Sequence, residues 1–287
     1  MVGPRLGARR GCRRTHHRAH PHRQPRFRRG EAGGVRIVPV GLLLRLAVLA
    51  VLVVFIARPE LFGGLLAPLN SDDKPAIYNQ GSLLGLTVEH LELVLAATVC
   101  STVVAILLAV LVTRPSGREF LPLSRSLVNI GQTFPPVAVL ALAVPAIGFG
   151  WQPTFIALFL YGLLPIFENT MTGLTTLPPA VMEAARGMGL TDRQRLFRVE
   201  LPLALPIILA GIRLTAVIGL ATATIGSTVA ARTLGEVIIA GLISDNLAFI
   251  VQGGLIVAVL AVLLSDALSA LERVLAKRVG RIAAQGN

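Results

Sequence analysis

Side chains able to make or break bonds are few in these 287 residues, and they are poorly partnered. His16, His17, His20 and His22 form a run interrupted by Pro21, and His90 stands between Glu89 and Glu92. The cysteines, Cys12 and Cys100, are far apart and suggest neither a disulfide nor a metal framework. A phosphate-binding loop needs Gly-Lys before Ser/Thr, yet the only lysines, Lys74 and Lys277, follow Asp73 and Ala276. No catalytic, cofactor-binding or metal-ligating set is therefore assigned, and His90 is expected to be an interfacial polar residue. What stands out is charge inside apolar runs. Arg213 lies well inside one such run and Glu168, next to Asn169, inside another. A central Arg costs ~2.5–3.5 kcal/mol on insertion scales, so such groups are functional candidates by default. Glu168 and Arg213 either pair or are solvated separately in a polar cavity. Asn129, Gln132 and Thr133 share a face of a proline-broken run, the kind of segment that lines a cavity. These six residues are the candidate lining of a polar path through the apolar runs.

The elements that must position them are membrane helices. Apolar residues make up 54% and charged residues 15% of the chain, against roughly 45–50% and about 25% in soluble domains. Mean hydropathy is +0.73. The expected class is all-α and polytopic, with spans at residues 37–57, 91–112, 127–149, 154–174, 201–229 and 249–271. The third is expected to break at Pro135, Pro136 and Pro145. The fifth would be ~43 Å long as a helix, beyond a ~30 Å hydrocarbon core, so it must tilt, kink near Pro206 or begin in the cytoplasm. Within it Gly211, Thr215, Gly219, Thr222 and Gly226 form a small-residue stripe suited to helix packing, or else to a substrate wall.

Charge sets the orientation. With the N-terminus inside, the inner segments hold twenty-two Lys+Arg and the outer segments three; both termini are expected in the cytoplasm. Without residues 1–36 the bias is still eleven to three. That basic segment is expected to be disordered. It is read as a nucleic-acid or lipid arm, a positive-inside flank, or sequence upstream of a true start near Val35, the last two being favoured. The segmentation is then a basic tail (1–36), a first span with its outer loop (37–87), a transmembrane domain (88–273) and a cytoplasmic C-terminal tail (274–287).

The inner loop from Leu177 to Pro202 has too much pattern for a connector. Pro178 and Pro179 suit a first helical turn. Val181, Met182, Ala184, Ala185 and Met188 give that helix an apolar side, and Gly189 suits a left-handed stop. Thr191 and Gln194 form a capping box for a second helix, expected to bury Leu196 and Phe197 and to expose Arg193, Arg195 and Arg198.

Glu183, Ala184, Ala185, Gly189, Val199, Leu201 and Pro202 together resemble the EAA motif of ATP-binding-cassette (ABC) importer permeases, with Val199 where the family has Ile. Gln132 to Pro136, Phe159 to Pro165, Leu201 to Pro206, Ala210 to Arg213, Ala231 to Gly235 and Val251 to Gly254 are similar to its osmoprotectant branch, which imports glycine betaine, choline, carnitine or proline betaine. The resemblance covers about residues 88–273. It implies a type I ABC importer fold in the bacterial inner membrane and no enzymatic activity in this chain. Its implied partners are separate ABC ATPase subunits gripped by the Gly189 loop, a second permease copy or paralogue, an extracytoplasmic substrate-binding protein and membrane lipid, with no nucleic acid and no cofactor. The small-residue stripe would then be where two permeases meet. Alternatives are a permease for amino acids or other small polar solutes, or an ion-coupled carrier, which would usually need repeated halves. Quaternary amines need an aromatic cage, which the sequence does not visibly supply.

Overall fold

The computed structural model describes residues 40–70 and 74–285; the expectations for residues 1–36 lie outside them. The elements are α1 (Val40–Ala57), a 3-10 turn leading into α2 (Gly63–Leu66), α3 (Leu83–Thr113), α4 (Leu121–Thr133), α5 (Pro136–Ile147) and α6 (Trp151–Thr175). There follow α7 (Pro179–Gly187), α8 (Asp192–Arg195), α9 (Leu201–Ala223), α10 (Gly235–Ile243) and α11 (Leu247–Gln285). Among the described residues there is no strand.

Four helical stretches are long and apolar enough to cross a membrane unaided: α3, α6, the stretch from Asp192 to Val229, and α11. Two further segments qualify only as bent pairs, which makes six if each pair is one span. The first pair turns by 106° after Ala57. The second joins α4 to α5 at 95°. Its break is chemical. Pro135 and Pro136 lack amide hydrogens, and the residue before a proline is pushed to extended geometry; Phe134 adopts φ −92°, ψ 136°. Pro145, expected to break the run again, sits inside α5. Only the Ala141 carbonyl loses its helical partner there, two residues from the end.

The second span starts earlier than expected, because the Ser82 hydroxyl caps α3 by accepting from the Gly85 amide at 3.2 Å. The fifth begins before its apolar run, within the inner loop: α8 passes through a single π-helical stretch, Leu196–Glu200, directly into α9. The helix continues through Pro206. The C-terminal segment continues α11 to Gln285.

The centre is a bundle of α3, α6, α9 and α11, with α10 against α11. Leu93, Val94 and Ala97 of α3 pack with Leu158 of α6 and Leu220 and Ala223 of α9. Phe55 of α1 joins Leu234, Phe249 and Ile256 in a second core. Leu95, Val99, Val103, Leu107 and Leu111 make an exposed stripe at intervals of four along α3. An apolar face of that extent belongs against lipid or another protein.

Candidate functional site

The inner loop folds as its residues dictate. Pro179 occupies the first helical position of α7. At its far end Gly189 has φ +74°, a region costing other residues roughly 1–2 kcal/mol. The Leu190 amide then reaches the Ala185 carbonyl at 3.3 Å, closing a Schellman-type stop. The Thr191–Gln194 capping box is present in both directions. Glu183, Ala184 and Gly189 are exposed whereas Ala185 is buried. A Cβ on Gly189 would meet nothing within 4 Å, so the elbow stands clear of the rest of the chain.

Two side chains do not lie as expected. Phe197 is 59% exposed, as is Met188 at 71%, so apolar groups on both sides of the elbow are presented outward. Arg195 is instead tucked in. Its Nε donates to Glu200 at 2.9 Å and its Nη2 reaches Asp192 at 2.8 Å. The reason is Glu200, only 3% exposed, which requires compensation for its charge. Arg114, at the inner end of α3, supplies a second guanidinium to the same carboxylate. The loop is thus tied to a membrane helix just before Leu201 and Pro202. Neither residue was expected from the sequence, although an acid directly preceding an apolar run (Glu200) and a base ending one (Arg114) were the signal for them.

The candidate path residues are not brought together as one cluster. Arg213 Nε donates to Glu272 of α11 at 2.8 Å, and Glu168 sits 3.4 Å from Arg125 of α4. Glu168 and Arg213 therefore do not pair; each has a nearer counter-charge. A third ion pair, Arg45 to Asp266 at 2.9 Å, ties α1 to α11. Gln132 Nε2 donates to the Tyr161 carbonyl at 3.2 Å, the acceptor orphaned by Pro165 four residues on. The Tyr161 hydroxyl in turn donates to the Phe134 carbonyl at the α4–α5 break. Thr133 bonds back to the Asn129 carbonyl at 2.9 Å, and Asn169 to the Pro165 carbonyl at 2.8 Å. Asn129 is exposed.

The small-residue stripe is used within the chain. A Cβ on Gly211 would come within 2.8 Å of Asn169 Cβ and the Pro165 carbonyl oxygen, and one on Gly226 within 2.5 Å of Thr154. Thr215 donates to the Gly162 carbonyl at 3.2 Å. Thr222 faces the α6 residues Leu158 and Gly162 across a narrow void that Gly219 also lines. These contacts place α9 and the turn that follows it against α6 of the same chain.

His90 is not at the surface of the chain. It is fully buried, with Nε2 at 3.1 Å from the Leu220 carbonyl and Nδ1 accepting from the Leu234 amide at 3.4 Å. Leu220 has a free acceptor because the helix tightens there: the Thr224 amide turns to Ala221.

Comparisons with known proteins place these features. The model of the family described as binding-protein-dependent transport system inner membrane component matches residues 101–281. The chain is 39% identical to the osmoprotectant import permease protein OsmY of Salmonella typhimurium over 66% of this chain and 80% of that protein. With the glycine betaine/carnitine/choline transport system permease protein OpuCB of Bacillus subtilis it shares 37% identity over 68% and 89%. With the carnitine transport permease protein OpuCB of Listeria monocytogenes the identity is 38% over 72% and 94%. Among solved structures it is similar to the inward-facing MetNI methionine ABC transporter, with TM-score 0.61 and 23% identity over 67% of this chain and 95% of that one. That likeness establishes the fold.

Proposed function

Because the chain belongs to the family of binding-protein-dependent transport system inner membrane components, we propose that it is the translocating subunit of an ABC importer for glycine betaine, choline or carnitine. It is a multi-pass inner-membrane permease of the type I importer fold. ATP hydrolysis belongs to a separate ATPase, and substrate is delivered by an extracytoplasmic binding protein. The relatives named for osmoprotectants, two of them for those solutes, aligned over most of their length, carry the substrate class.

The geometry of the inner loop supports the coupling role. A nine-residue helix is too short to be stable alone, and it ends in an elbow with Met188 and Phe197 turned outward. Such a unit is suited to docking in a groove on an ATPase subunit. Two ATPases need two loops, so a second permease, identical or paralogous, completes the assembly. The Arg114–Glu200–Arg195 link carries displacement of the loop into α3 and α9.

The experiment is accumulation of labelled glycine betaine, choline and carnitine. The host is a strain without osmoprotectant uptake that expresses this chain with its ATPase, second permease and binding protein. Accumulation of at least one of the three is expected. Accumulation of none, with the complex present in the membrane, overturns the substrate assignment.

A further inference from the structure

An outer cavity of about 910 Å³ lies between the first turns of α3, the start of α6 and the turn after Val229. Its size falls within the ~300–1,000 Å³ typical of small-molecule sites. Its walls include Trp151, Phe155, Glu89, Glu92 and Arg232. Trp151 and Phe155 meet edge to face with ring centroids 6.1 Å apart. The Gly150 amide donates to the Val229 carbonyl at 2.8 Å, which fixes the tryptophan's turn against the segment leading to Arg232.

Resting on the osmoprotectant reading above, we propose that this cavity is a binding site, within the permease itself, for a quaternary-ammonium solute, and that Arg232 distinguishes zwitterions from simple cations. A methylated ammonium has no N–H to donate, so it is recognised by aromatic faces and carboxylates rather than by hydrogen bonds. Trp151 and Phe155 supply the faces. Glu92 supplies the charge, since among the described residues no cation lies within ion-pair distance of it. Arg232 Nη1 rests 3.2 Å from Glu89, with both side chains more than a third exposed. Ion pairs of that kind are worth little and exchange readily. A solute carboxylate can take the guanidinium, for which it has matching geometry, while the solute's cation takes the place of Arg232 beside Glu89. Glycine betaine, with both charges, uses the whole site; choline uses the aromatic and acidic half.

Trp151 is the only tryptophan of the chain, so the site carries its own probe. The full-length chain in lipid nanodiscs is titrated with glycine betaine, choline and, as the unmethylated control, glycine, while Trp151 emission is recorded. The same chain, assembled with its ATPase, second permease and binding protein, is assayed for uptake. The expected result is a saturable change with glycine betaine and choline and none with glycine. Glu92→Gln weakens both solutes about tenfold, whereas Arg232→Gln weakens glycine betaine by a similar factor and leaves choline unaltered; tenfold corresponds to about 1.4 kcal/mol. Trp151→Phe keeps uptake and Trp151→Leu reduces it. Uptake by the wild type without a saturable emission change, or an Arg232→Gln effect equal for both solutes, overturns the site and leaves the substrate assignment standing. Wild-type uptake of none of these solutes overturns both.

Discussion

Arg213 Nε lies 2.8 Å from Glu272 Oε1, clamping the middle of α9 to the inner part of α11. The side chains are 35% and 18% exposed, so each charge depends on the other for compensation. Removing one partner of such a pair leaves an isolated charge, which costs about 3–5 kcal/mol when fully buried and less at this exposure. Arg213→Gln alone should therefore lower the melting temperature in nanodiscs, while Arg213→Met with Glu272→Met should recover most of it. Uptake should follow stability. A double variant that melts normally but does not transport would return Arg213 to the translocation path.

Glu200 is the residue on which the loop's attachment depends. Glu200→Ala should leave insertion and ATPase association intact but reduce substrate-driven ATP turnover in the assembled transporter by about tenfold or more. It would strand the Arg114 and Arg195 guanidiniums without their shared acceptor. Glu200→Gln, which keeps an acceptor oxygen, should fall between. Normal turnover in Glu200→Ala would show that the link transmits nothing.

The stripe from Gly211 to Gly226 distinguishes packing inside the chain from packing between chains. Gly226→Leu and Gly211→Leu should destabilise the single chain, since even a Cβ meets neighbours at 2.5 and 2.8 Å, and overpacking of this kind costs roughly 1–3 kcal/mol. Gly219→Leu should be milder, because the nearest atom to a Cβ there is Val94 Cγ1 at 3.4 Å. Thermal melting and intact-complex mass measure both effects. Loss of the second permease with an unchanged melting temperature would restore the intermolecular role.

These residues also show how far the sequence was legible. Pattern and charge bias were enough for the helices, for the Pro135–Pro136 break and for the Gly189 elbow, because each is decided by local chemistry: a missing amide, a missing Cβ, a capping pair. The short α10 was not anticipated, nor was the 95° turn at the break, because periodicity says nothing of direction. Partner choice was least legible. Arg213 had Glu168 as the conspicuous acid, yet Glu272, one residue past the expected end of the sixth span, is the one that α11 brings alongside. His90 looked interfacial from its charged neighbours, and only the tightening of the chain near Thr224 creates the carbonyl it binds.

The outer loop supplies a prediction in pH. Burial and the hydrogen bond it donates to Glu236 at 3.0 Å push the Tyr78 hydroxyl up from 10.0 to about 12. The folded form thus holds the proton more tightly than the unfolded one. Its stabilising contribution is complete below pH 10 and is lost as the pH rises towards 12. Tyr78→Phe should melt lower than wild type at neutral pH, by an amount reflecting one hydrogen bond of about 1 kcal/mol. The gap should narrow between pH 10 and 12; a gap that widens there would mean the bond is not made.

The central claim is that this chain moves an osmoprotectant only when an ATPase works through the Gly189 elbow. The direct measurement is uptake of labelled glycine betaine, choline and carnitine into proteoliposomes holding the purified transporter, with binding protein outside and ATP or a non-hydrolysable analogue inside. The same preparation carrying Gly189→Pro is run in parallel. Uptake of at least one solute with ATP alone, abolished in Gly189→Pro despite an intact ATPase complex, is the predicted result. Uptake that proceeds without ATP on an imposed ion gradient, or that Gly189→Pro leaves at the wild-type rate, would contradict it.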